Sequence, residues 1–123
     1  MERIERTALR NLIHNEQYCR KVLPFIKEDY FTDRLEKVLF TEIYKFVNKY
    51  NNLPTKESLS IEINGNKTIN EDEYKKVTDI LSTLNPEPVN IQWLVDTTEK
   101  FCKDRSIHNA ILNGIQIIDG KDK

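Results

Sequence analysis

Between Asp33 and Tyr50 the sequence carries an apolar arc too wide for a helix exposed to water on its own. Leu35, Leu39, Ile43, Phe46 and Tyr50 form one stripe at helical spacing, and Val38, Phe40, Tyr44 and Val47 widen it past half the circumference. The polar remainder is narrow: Lys37, Thr41, Lys45 and Asn48. A helix of this kind is normally surrounded by others, so the segment is expected at the centre of a helical bundle.

The flanking segments fit that expectation. Ile4, Ala8 and Leu12, then Cys19, Val22, Leu23 and Ile26, recur at spacings of three and four, which predicts two short helices with a break near His14 to Glu16. Pro24 opens a further turn, and Lys27 to Thr32 reads as a connection before Thr32 or Asp33 caps the central helix. After the turn Asn51 to Pro54, Thr55 caps a short helix carrying Leu59, Ile61 and Ile63. Asn64 to Asn70 reads as a loop, with Asn70 and Glu73 spaced as a capping box.

Two helices follow. Glu71 to Leu84 repeats Tyr74, Val77, Leu81 and Leu84; after the Pro86 and Pro88 link, a pattern starting at Asn90 runs to about Ile118. Its stripe is Ile91, Leu94, Val95, Phe101, Cys102, His108, Ile111, Leu112 and Ile115, interrupted by Thr98 and Arg105. A short link between two helices predicts an antiparallel hairpin, whose second arm reaches roughly 40 Å. The shorter arm cannot cover the longer, so part of the long stripe must meet the bundle or another chain. The expected fold is therefore all-α: a helical bundle over 1–66, a hairpin over 70–118, and the start of a linker at 119–123.

With 123 residues, 38% hydrophobic and 32% charged, and only seven Gly plus Pro, the chain fits one helix-permissive domain. Lys and Arg number 19 against 20 Asp and Glu, interspersed, with no basic stripe of the kind that neutralises phosphates. No stretch approaches the length of a membrane span and no signal-peptide core is present, so the expected location is the cytoplasm. Cys19 and Cys102, far apart and set among apolar residues, read as reduced core cysteines.

Catalytic patterns are missing from the sequence. It holds no GxxxxGK[ST] loop, GxGxxG turn, HExxH or CxxC, and three glycines offer little for a phosphate cradle. No metal ligand set is formed by His14 and His108, and His108 reads as a hydrogen-bonded core or interface residue. Glu71, Asp72 and Glu73 are explained by the helix dipole of a first turn. The expectation is a chain without enzymatic activity, cofactor or metal.

The candidate residues for a partner interface are Tyr74 and Ile80 on the shorter arm, with Trp93, Arg105, Ile107 and Ile111 on the longer. A charge such as Arg105 inside an apolar stripe must reach water, pair with a carboxylate or meet a partner. Trp93 and Ile107 lie off the main stripe, either packed under the bundle or forming a face for another subunit.

Several ordered segments resemble the N-terminal domain of DnaB-type replicative helicases, including those of T-even phages. They are LRNLIHNEQYCRKVLPFI, EDYF at Glu28 to Phe31, VLFTEIYKFV at Val38 to Val47, LPTKESL at Leu53 to Leu59, and NIQWLVDTTEKFCKDRSIHNAI, whose Arg105 precedes an apolar run. The resemblance implies a collar domain whose hairpins pair between neighbouring subunits of a hexamer and which docks primase. It further implies that ATP, Mg and single-stranded DNA concern a motor ring beyond IDGKDK, so that the chain is one domain of a longer protein. A helicase-binding domain of a primase shares the bundle-plus-hairpin design. A small phage regulatory DNA-binding protein is the other alternative, although no short turn joins two helices at recognition spacing.

Overall fold

The computed structural model describes the backbone of residues 3–118 and the side chains of residues 3–114. Six α-helices follow one another: α1 Ile4–His14, α2 Glu16–Val22, α3 Arg34–Tyr50, α4 Lys56–Asn64, α5 Glu71–Thr83 and α6 Ile91–Ile118, with a 3-10 turn at Glu28–Tyr30. No strand occurs among the described residues, and the all-α expectation is borne out.

Every helix after α1 begins where a side chain satisfies one or more of its first free N–H groups. Asn15 separates α1 from α2 in extended conformation and accepts from the Tyr18 N–H. The Asp33 carboxylate accepts from the Leu35 and Glu36 N–H groups at 2.8 and 3.1 Å. Thr55 and Ser58 cap each other reciprocally at the start of α4, as do Asn70 and Glu73 at the start of α5. Glu73 also accepts from Arg34, whose guanidinium, together with the Asn70 N–H, holds the carboxyl below the usual range. Helix α3 ends on Asn51 at φ 55, a left-handed position that Asn tolerates well.

The wide arc of α3 is covered as expected: α1, α4, α5 and the 3-10 turn all pack on it. One cluster of buried side chains runs from Ala8 in α1 to Cys102 in α6, spanning both the segment read as bundle and the segment read as hairpin.

The expected α5–α6 hairpin is corrected by the packing. Within this chain α5 lies chiefly against α3 and α4, whereas α6 lies against α2, α1 and the 3-10 turn. The cause is the connection between them. Leu84 is buried and its carbonyl accepts a hydrogen bond from His14 at 2.6 Å, Asn85 accepts from Lys56 at 2.7 Å, and Glu87 pairs with Arg10 at 3.3 Å. Pro86 and Pro88 keep the rest of the link non-helical. The chain thus crosses from the α4 side to the α1 side before α6 starts, so the arms do not fold back on one another. The expected linker at 119–123 lies outside the described residues.

Candidate protein interface on the terminal helix

Helix α6 has an inward side built for the body of the domain. Leu94, Val95, Thr98 and Cys102 are buried there. Thr98, expected as an interruption of the stripe, is part of the seat: its hydroxyl donates to the Leu94 carbonyl at 2.7 Å and accepts from the Tyr18 hydroxyl at 2.8 Å. Burial pushes the Tyr18 phenol well above its ordinary range, so it stays a neutral donor.

Arg105 resolves to its intrachain alternative. Its guanidinium lies 3.6 Å from Glu5 on α1 and over the Phe101 ring, 5.1 Å from the centroid. The same Glu5 approaches Arg3 at 3.8 Å, and Arg3 and Arg6 both donate to the buried Glu36 of α3. Five charged residues thereby tie α1, α3 and α6 together at one end of the domain. Arg105 serves this network within the chain, with its side chain 21% exposed.

Tyr74 and Ile80 are half-buried and packed against the core, on a helix whose neighbours are α3 and α4. The structure does not bring them beside the α6 candidates. Trp93, Ile107 and Ile111 behave differently, being 56%, 51% and 56% exposed. At about 100° of rotation per residue, Trp93 and Ile111 share one azimuth and Ile107 lies roughly 40° away, on the side opposite the seat. Among the described residues nothing covers their outward face fully.

The last described hold of the body on α6 is the Asn109 amide, which donates to the Asp29 carbonyl at 3.2 Å. Leu112, on the stripe and read as inward, is 46% exposed, and His108 is exposed rather than in the core. Periodicity marks both as inward; the body ends before it can cover them. Leu112 is a further exposed apolar residue that the candidate set omits, although its place on an overlong helix is visible in the sequence.

Among the described residues no group of three or more His, Cys, Asp or Glu is placed to hold a metal ion, and no helix is long and apolar enough to cross a membrane. Both thiols are free and buried, as read from the sequence, and burial pushes each up to about 11 from an ordinary 9.0. The folded chain therefore holds thiol protons that the unfolded chain releases above pH 9.0. This stabilisation is complete below the unfolded value and is lost as pH rises toward about 11. The urea midpoint is expected to fall across that window, and to fall less when Cys19→Ala and Cys102→Ala are combined; identical slopes would assign the loss to other groups.

These features define a small helical domain with a single core and one long terminal helix whose outward apolar side chains are exposed among the described residues. Its sequence is 33% identical over 109 residues to the DnaB-like replicative helicase of Enterobacteria phage T4. The match takes in 89% of this chain and 23% of that helicase, so the chain corresponds to a portion of it. The resemblance read from the ordered segments is thereby borne out. No family model matches the chain.

Proposed function

We propose that this chain is the N-terminal assembly domain of a hexameric phage replicative DNA helicase, joining subunits into a collar and offering primase a docking surface. One observation carries the reading: a helicase-like sequence folds into a domain that leaves Trp93, Ile107 and Ile111 uncovered on one face of its longest helix. Large exposed apolar side chains on one face are the usual mark of a surface meant for another chain. ATP hydrolysis with Mg and movement along single-stranded DNA are assigned to the motor of the full-length ring, working in the host cytoplasm.

The similarity to a helicase favours this reading over a primase domain. The balanced charge, 19 basic against 20 acidic residues, favours it over a DNA-binding regulator.

The test is molar mass by sedimentation across a concentration series, with and without the cognate primase. Mass rising toward a dimer or larger, or shifting with primase, is the expected result. Combining Ile107→Glu with Ile111→Glu is expected to weaken self-association at least tenfold, as roughly 1.4 kcal/mol of lost contact implies, with the circular dichroism unchanged. A monomer at every concentration, indifferent to primase, overturns the assembly role.

A further inference from the structure

Between Trp93 and Ile111 the central line of the outward face of α6 carries two opposite charges, with the exposed Asp96 at its edge. Lys100 and Asp104 lie within roughly 20° of the azimuth shared by Trp93 and Ile111. Both are exposed and, one helical turn apart, they pair with each other at 3.2 Å. Along the helix the order is therefore indole, cation, anion, aliphatic. Trp93 and Ile111 are equidistant from the level of residue 102, and so are Lys100 and Asp104.

That spacing makes the face complementary to itself when one copy is turned end over end. Trp93 then meets the second copy's Ile111, with Ile107 beside the same indole, and Lys100 meets the second copy's Asp104. A parallel arrangement in register sets Lys100 against Lys100 and Asp104 against Asp104, which charge repulsion disfavours. The buried seat of Leu94, Thr98 and Cys102 is on the other side of the helix, so the two domain bodies point away from each other. The contact would run for roughly 27 Å, the rise between Trp93 and Ile111.

We propose that a second copy of this chain covers the outward face of α6 in an antiparallel, two-fold-symmetric pairing centred on the level of Cys102. The proposal rests on the assembly reading above and deepens it by fixing the register and the charges that select it.

The test uses Lys100→Glu and Asp104→Lys, each alone and mixed in equal amounts, with self-association read by sedimentation beside the unaltered chain. Each variant alone sets like charges opposite one another twice and is expected to associate at least tenfold more weakly. In the mixture the introduced acid of one variant faces the introduced lysine of the other, while the unaltered Lys100 faces the unaltered Asp104, so association is expected to recover as a heterodimer. A mixture as weak as its components, or single variants that associate like the unaltered chain, overturns the register while leaving assembly standing. An unaltered chain that never associates overturns both.

Discussion

Replacing Phe31 with alanine is expected to destabilise the fold by about 3–5 kcal/mol, the usual cost of deleting a buried aromatic ring. Phe31 has no exposed surface and stacks on Phe40 with ring centroids 5.0 Å apart. It leaves the 3-10 turn that packs on both α3 and α6, so a cavity there opens where the central helix, the turn and the terminal helix converge. Domains of this kind hold roughly 5–15 kcal/mol of net stability, so the variant should lose a large share of it. Urea unfolding followed by circular dichroism measures the loss. Phe46→Ala is the comparison: Phe46 is partly exposed, lies outside the buried cluster and meets the exposed Tyr50 in a tilted ring contact, so a smaller loss of about 1 kcal/mol is expected. Equal losses at the two positions would mean that the turn is not part of the cooperative core.

The second large effect is expected at Glu36. Its side chain is fully buried, and one carboxylate oxygen accepts from both Arg3 and Arg6, the latter at 2.5 Å. Breaking a buried ion pair from one side costs about 3–5 kcal/mol when the orphaned charge cannot reach water. Here the arginine side chains are 49% and 30% exposed and can regain solvent, so Glu36→Ala is expected to cost about 2–3 kcal/mol. Glu36→Gln preserves volume and one acceptor and should cost roughly half as much. The second carboxylate oxygen, Oε1, finds no hydrogen-bond partner among the described residues, so the site depends on the two arginines. Chemical denaturation of both variants at low and high salt separates the contributions; an Ala variant as stable as the unaltered chain would show the network to be ornamental.

Reading the sequence located elements better than neighbours. The α1–α2 break, the caps at Asp33, Thr55 and Asn70, and the centrality of α3 all follow from local chemistry, because a cap or an apolar arc is determined within one or two turns. Which helix covers a given stripe is a long-range matter. Periodicity gave α5 and α6 complementary apolar sides, and the Pro-containing link suggested a hairpin, yet His14, Arg10 and Lys56 direct the link across the domain. Buried polar residues were equally hidden. Glu36, Glu42 and Thr98 sit in the interior, but in a hydrophobicity pattern each counts as solvent-facing. At the candidate interface, Trp93, Ile107 and Ile111 were recognisable as off-stripe apolar residues, whereas Arg105 had open alternatives that only the position of Glu5 could decide.

A helix seated on an apolar surface alone can slide by one turn, about 5.4 Å, and find another set of acceptable contacts. The hydroxyl pair of Tyr18 and Thr98 opposes that slide, because a displaced α6 would strand the buried Tyr18 hydroxyl at about 1–3 kcal/mol, while Thr98 keeps its bond to the Leu94 carbonyl. The bond acts as a key that sets the helix at a single longitudinal position. The Arg105–Glu5 pair and the Asn109–Asp29 bond hold the helix at the same longitudinal position. How far the tip of α6 stands beyond the body is therefore a fixed dimension of the molecule.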